Sequence, residues 1–298
     1  MHEALRQLGE VRELRDPVLI AAFTGFTDGH GAATAAVRAL ISEWDAQPLA
    51  ELDPERFFDF TVQRPRTRTE DGERILEWPE NRFYVASPEG AERDFILLAG
   101  VEPHLRWRTF CEAIEDVLRT TGSTMSVTLG AQPSAVPHTR PLPVNLSASH
   151  PEFEEMFGLK APTSRYQGQT GIVGVLNVHL RGLGWRNASL WGMAPHYLTV
   201  GPNPAIAIQL LSLVDRGFGT TTSTDDLREE AAAFEDQVTQ VLDESDEAKQ
   251  YVQQLEEQYD ANQPQTPLAP PQDLDLPSTP ELLDDLERFL RDQRRDDS

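Results

Sequence analysis

The chain has 298 residues, enough for one large domain or two modest ones, but only 39% of them are apolar and 22 are proline. That balance predicts a packed core with non-globular segments attached. The formal charge of −23 is uneven: residues 220–298 hold 22 acidic against 6 basic residues, and residues 1–219 hold 27 against 20. So acidic a tail repels phosphate backbones and anionic lipid, which excludes nucleic acid and membrane surfaces as its partners and favours a basic protein surface.

Cys111 is the single cysteine, so no intrachain disulfide forms, and its place in a helical pattern reads as a small buried hydrophobe. His104, seven residues upstream, is too slender a basis for an activated thiol. The N-terminal residues are polar, without the apolar core of a leader, and the run Val18–Phe23 is too short to span a bilayer. A soluble, cytoplasmic protein is expected.

In chain order, residues 17–24 form a continuous apolar run, then a Gly-rich turn and a small-residue helix, Ala32–Trp44. This is the opening of an α/β unit. Residues 48–52 suggest the next strand. The arms 62–70 and 73–78 flank Asp71-Gly72, the signature of a β-hairpin, read as an insertion on the sheet edge, with 81–86 as a further strand. A strand at 94–99 follows, then a helix at 104–120 with Leu105, Cys111, Ile114, Val117 and Leu118 turned inward. Strands are expected at 123–129, 171–176 and 188–194, and a helix at 204–218 with Pro at its first position. Strands alternating with helices predict a mixed central sheet flanked by helices.

Beyond the core, 1–219, the sequence suggests an acidic arm at 220–260. There Leu227, Ala231, Phe234, Val238, Val241, Ser245, Ala248, Val252, Leu255 and Tyr259 recur at alternating gaps of four and three, with Ser245 as the polar breach. The pattern suits a long helix lying on the core, a coiled-coil arm, or a projecting helical hairpin. Residues 261–277 are a Pro-rich linker. Residues 278–298 hold a short amphipathic helix, capped by Thr279, whose stripe includes Leu282, Leu286, Phe289 and Leu290; these four are partner-binding candidates, although the core itself is the simpler dock.

For chemistry, Gly25, Gly29 and Gly31 sit between a strand and a helix and with Glu51 loosely mimic a dinucleotide fingerprint. Thr34 stands where a third glycine belongs, and no cofactor is expected. There is no Walker Gly-Lys-Ser/Thr, no Gly-x-Ser-x-Gly elbow and no His-Glu-x-x-His, and the seven histidines lack metal-ligand spacing. Polar residues do collect at expected strand ends: Asp28, Glu102, His104, His138, Arg140, His196 and Asn203. With Gly25 and Gly29 they are ligand-pocket candidates, because open α/β sheets bind ligands at the carboxyl ends of their strands. The simpler reading is that each caps a turn or pairs locally. Arg64, Arg66 and Arg68 alternate on one hairpin face and read as a solvated edge.

Several of these segments together resemble the proteasome assembly chaperone 2 family, especially its actinobacterial members. They are DPVLIAAFTGFTDGHGAATAAVRAL, RPRTRTEDGERILEWPENRFYV, LLAGVEPHLRWRTF, AVPHTRP, YQGQTGIVGVL and SLWGMAPHYLTVGPNP, spanning about residues 10–218. The resemblance implies a phosphorylase-like α/β fold, a mixed sheet between helices, to which the β-hairpin insertion and the C-terminal helical or coiled-coil extension read from the residues are added. It also implies a homo-oligomer (a trimer or a multiple of it) and a protein partner, proteasome-related as in eukaryotic and archaeal relatives. Some relatives dock by a C-terminal hydrophobic–Tyr–any-residue motif, and this sequence ends Arg295-Asp296-Asp297-Ser298 instead. The resemblance carries no catalytic residues. The expected function is a non-enzymatic assembly-chaperone or scaffold role; the alternative is an enzyme or binder of a nucleoside- or phosphate-type ligand in the strand-end crevice.

Overall fold

The structure is a computed structural model and describes residues 2–261, apart from 11, 199, 200, 244 and the side chain of residue 30. The Pro-rich linker and the terminal stripe Leu282, Leu286, Phe289 and Leu290 lie outside the described residues.

Strand β2, Val18–Thr24, is buried along almost its whole length. Alternate side chains of a strand point to opposite faces, so an unbroken apolar run needs a core on both sides. Val18, Ile20 and Ala22 enter one core, with helices α1 (Ala32–Glu43), α4 (Glu152–Phe157) and α6 (Pro204–Phe218). Leu19, Ala21 and Phe23 enter the other, with α2 (Pro54–Phe57), α3 (Trp107–Thr121) and α5 (Ile172–Gly182).

Around β2 an eight-stranded mixed sheet runs in the order β1-β3-β6-β7-β2-β8-β10-β9. The parallel centre is β7 (Phe95–Val101), β2, β8 (Met125–Ser134) and β10 (Arg186–Pro195), so these four strands end on one edge. Antiparallel strands complete it: β6 (Arg82–Ala86), β3 (Gln47–Leu52) and β1 (Leu5–Gln7) on one side, β9 (Val144–Ala148) on the other. The mixed α/β architecture expected from the sequence is the observed one.

The differences have local causes. The run 171–176, expected as a strand, opens α5. A short apolar run is ambiguous between strand and buried helix, and here Ile172, Val173, Leu176 and Leu180 recur at helical spacing on one buried face. The helix expected from 104 starts at Trp107, because Arg106 adopts a left-handed φ of 55° that no α-helix accommodates; Leu105 is consequently exposed, not inward. The hairpin strands β4 (Arg66–Glu70) and β5 (Glu73–Glu77) form a sheet of their own. Its turn residues Asp71 and Gly72 both have positive φ, as a two-residue hairpin turn with the right twist requires. Strands β1 and β9 and helices α2 and α4 went unanticipated.

The acidic arm is two helices, α7 (Asp225–Asp243) and α8 (Asp246–Ala261). The polar breach in the seam marks the break: Ser245 Oγ accepts from the Ala248 N–H at 3.2 Å and caps α8. The seam residues Phe234, Val238, Val252 and Leu255 close on each other and on Tyr197 and Leu198 of the core, so the hairpin lies back against the body of the molecule.

The assignment of α5 is testable by a pair of substitutions read by urea unfolding. Leu176→Ala, at a fully buried site, is expected to cost about 2–5 kcal/mol. Val178→Ala, on the exposed helix face, is expected to be neutral or stabilising by up to about 0.7 kcal/mol, because a β-branched residue is the poorer helix former; in a strand it would destabilise.

Candidate functional site

At the carboxyl ends of β2 and β7 the chain leaves a cleft of about 540 Å³, with Gly25, Glu102, His104, Leu105, Trp107 and Val62 among its walls. Glu102 follows β7 and works as a clamp. Its Oε2 accepts from the Phe26 N–H at 3.1 Å and its Oε1 from the Ile172 N–H at 2.7 Å. It thereby fixes the loop after β2 and satisfies a donor at the start of α5, where a negative charge also meets the positive end of the helix dipole. Gly25 has a φ of 134°, and a Cβ there would sit 2.8 Å from Glu102, so glycine is required at the closest approach.

His104 lines the same cleft. Its Nδ1 accepts from the Asp59 N–H at 3.1 Å, which leaves the other ring nitrogen to carry the proton in the neutral form, and Phe58 packs edge-on at 5.7 Å. Trp107 donates its indole N–H to the Pro103 carbonyl at 2.7 Å, fixing the rim.

Asp28 faces elsewhere. It is buried beneath α1, and its carboxylate accepts from the Ala33 N–H at 2.7 Å, the Thr34 N–H at 3.2 Å and the Thr34 hydroxyl at 2.6 Å. Burial pushes its carboxyl above the usual range, and the Thr34 hydroxyl and the two N–H groups pull back the other way. Gly29 lies in the turn before α1, where a Cβ would come within 3.1 Å of the Ala131 carbonyl oxygen. Asn203 caps α6, its side chain accepting from the Ile206 N–H at 3.3 Å.

The remaining candidates form a third group about β8, β10 and α8. The Tyr197 hydroxyl accepts from the His138 N–H at 2.8 Å and donates to His138 Nδ1 at 2.6 Å. His196 Nδ1 donates to the Ser134 carbonyl at 3.0 Å, and its Nε2 accepts from the Tyr251 hydroxyl at 2.8 Å. Arg140 holds both Asp260 oxygens, at 3.0 and 2.9 Å, and Glu256 at 3.2 Å. The seven polar strand-end candidates thus divide among a cleft (Glu102, His104), helix caps (Asp28, Asn203) and a tether for α8 (His138, Arg140, His196). No group of three or more His, Cys, Asp or Glu side chains among the described residues has the geometry to hold a metal ion, and no described helix is long and apolar enough to cross a membrane.

With this fold in place, the comparisons decide the family. The model of the PAC2 family matches residues 22–242. The chain belongs to the PAC2 family. A PAC2 family protein from Streptomyces avermitilis is 37% identical, with 80% of this chain and 100% of that one aligned at a TM-score of 0.73. A proteasome-assembly chaperone homologue from Mycobacterium tuberculosis is 38% identical over 79% of this chain and 99% of its own, at 0.71. An archaeal proteasome activator from Pyrococcus furiosus, at 19% identity and a TM-score of 0.65, shares the fold. No curated protein matches the chain.

In this PAC2 protein the tether of α8 escaped sequence reasoning, since Tyr251 and Glu256 lie off the heptad seam and only their partners stood out as strand-end residues. The seam identified which face of the hairpin closes; it carried no signal for which core loop receives it. Glu102 stood out as a carboxylate near a pocket, whereas its role as a cap depended on α5 being a helix.

Two expectations follow. Glu102→Ala strands two backbone donors and should cost about 1–3 kcal/mol in urea unfolding, with Glu102→Gln recovering part of the loss. The tether should also depend on pH. Burial pulls the His138 pKa below its ordinary value, with Glu256 acting the other way, so the folded state favours the neutral ring. That contribution is complete above about pH 6.5, the unfolded value, and fades as pH falls toward the lower folded pKa. Hydrogen exchange of α8, corrected for intrinsic rates, should therefore quicken between about pH 7.5 and pH 5.5, and His138→Gln should flatten the change.

Proposed function

We propose that this PAC2 family member is a non-enzymatic assembly chaperone or scaffold that engages a protein partner in the cytoplasm, and that the partner is proteasome-related. The observation that carries the reading is the alignment of 79% of this chain with nearly all of the mycobacterial proteasome-assembly chaperone homologue, at 38% identity. The disposition of polar side chains agrees with it: Asp28, Asn203, Glu102 and the α8 tether each spend their hydrogen-bonding capacity inside the fold.

The working surface in this reading is the α7–α8 hairpin, an acidic arm beside the core. Residues 225–261 hold thirteen acidic and two basic residues, and most of their side chains are exposed. A basic protein surface complements such an arm, and its charge raises the association rate at low salt. The same charge disfavours nucleic acid and anionic membrane. A homo-oligomer, a trimer or a multiple of it, and the division into core 1–219 and arm 220–260 complete the proposal. The alternative, an enzyme or small-molecule binder of nucleoside or phosphate type, has no comparable supporting observation.

The test uses purified proteasome subunits and the full chain, followed by native electrophoresis. The expected result is a complex with unassembled subunits and a higher yield of assembled particle. Neutralising Glu229, Glu230, Glu235 and Asp236, all exposed on α7, should weaken the complex most at low ionic strength. A chain that neither binds subunits nor changes the yield at any ratio overturns the reading.

A further inference from the structure

Helix α5 has no face suited to water. Inward it buries Ile172, Val173, Leu176 and Leu180. Outward it presents Val178, which at 73% is the most exposed large apolar side chain among the described residues. Val175 is half-buried one turn before it, and Leu183, 51% exposed, lies just past the end of the helix. The two ionisable side chains of α5 are occupied elsewhere. His179 Nε2 lies 2.9 Å from the Glu115 carboxylate on α3, and the Arg181 guanidinium donates to Asn187 Oδ1 at 3.0 Å and to Ser147 Oγ at 3.1 Å. A helix that is apolar all round is normally covered.

Charge narrows what covers it. Residues 156–214 include no Asp or Glu, the longest such stretch in a chain that has 49. A basic partner, of the kind the acidic arm favours, finds no carboxylate on α5. An acidic partner finds no free cation there, since Glu115 also holds Arg119, which lies over the Trp185 ring at 5.8 Å. Two copies, each of net charge −23, repel unless the faces that meet are free of carboxylates, and α5 is such a face. Shape points the same way. Gly182 is exposed one turn after Val178, its φ is not positive, and a Cβ there would meet nothing within 4 Å. The single chain therefore has no steric need of glycine at this position, and glycine is a poorer helix former than alanine by up to about 1 kcal/mol. It leaves a notch beside Val178.

We propose that α5 packs antiparallel against α5 of a second copy across a two-fold axis, with Val178 of each copy seated at Gly182 of the other. One patch then serves both sides of the contact. The helix of 11 residues is about 16 Å long, and a stable contact needs about 800 Å² a side. The flanks of α5 extend it. Nine consecutive exposed residues, 162–170, run into the helix and include Tyr166, and Leu183 follows it. The inference rests on the homo-oligomer proposed above and gives it one face. A two-fold contact joins copies in pairs, so the oligomer holds an even number of them, and pairing two trimers makes six. Below the concentration at which pairs separate, Val178 faces water; this is the state that the Val178→Ala unfolding comparison reads.

The experiment measures the native mass of the full chain by light scattering between about 1 and 100 μM. An even number of copies is expected. Val178→Arg should halve the mass at equal concentration, because it buries a guanidinium without a partner. Gly182→Leu meets open space in the single chain and should raise the dissociation constant of the pair at least about ten-fold. Both sites are exposed, so the circular dichroism of either variant should match that of the parent. A monomer, an odd number of copies, or a mass indifferent to both substitutions overturns the pairing. A second measurement uses a short bis-maleimide, which should link copies of Val178→Cys at least about ten-fold faster than copies of Leu76→Cys, 55% exposed on the separate hairpin. Cys111 is buried and desolvation pushes its thiol up to about 12, so it stays silent. Equal linking rates also overturn the pairing. An oligomer whose mass ignores Val178→Arg removes this face and leaves the homo-oligomer standing, and no readout here involves proteasome subunits, so the proposals fail separately.

Discussion

A strand buried on both faces is the constraint from which the rest of the molecule follows. No side chain of β2 from Val18 to Phe23 touches water, so helices must cover the sheet on both sides and every backbone group beneath them must find a partner. Parallel neighbours supply those partners along the strand. They also oblige each crossing helix to begin just beyond the sheet's carboxyl edge, where its first N–H groups are unpaired. The polar residues collected at that edge answer this demand. Asp28 serves α1, Asn203 serves α6, and Glu102 serves α5 while holding the loop after β2. In many α/β proteins the same edge is devoted to a ligand; here much of its hydrogen-bonding capacity is committed to closing the fold.

The second constraint is charge. Thirteen carboxylates in a hairpin of two helices repel one another, so close packing along the seam needs anchors to the core. They come as a cluster of aromatic and imidazole groups, Tyr197, His196 and Tyr251, whose rings meet edge to face at 5.6–6.2 Å. Arg140 adds a forked contact to Asp260. The hairpin is thereby fixed through its returning helix, and the outward flank of α7 keeps its carboxylates in water.

Much of the fold was legible because its signals are periodic. The two-faced strands, the Asp71-Gly72 turn, the Pro-led helix at 204 and the heptad seam each state their structure within a window of about ten residues. What was missed is either short or non-local. The run 171–176 has too few residues to distinguish a strand from a helix, and its resolution lies in Glu102, 70 residues away. The left-handed turn at Arg106, an exposed residue with no glycine beside it, leaves no mark in composition. At the candidate site, residue types and strand-end positions could be read, but their division among cleft, caps and tether depends on which helix each side chain reaches. The heptad pattern foretold a seam; Ser245, read as a flaw in it, is the cap at which the chain reverses.

The small two-stranded sheet has a practical consequence. It pairs with no strand of the main sheet, and its tip residues Asp71 and Gly72 are exposed, with open space where a Cβ on Gly72 would point. Lengthening a surface loop costs little entropy, and exposed hairpin tips are where chains tolerate added sequence. A fluorescent domain or affinity peptide spliced between Asp71 and Gly72 would leave the sheet, the hairpin arm and both chain ends unaltered. That makes this turn a favourable internal attachment point for following the protein within an assembly.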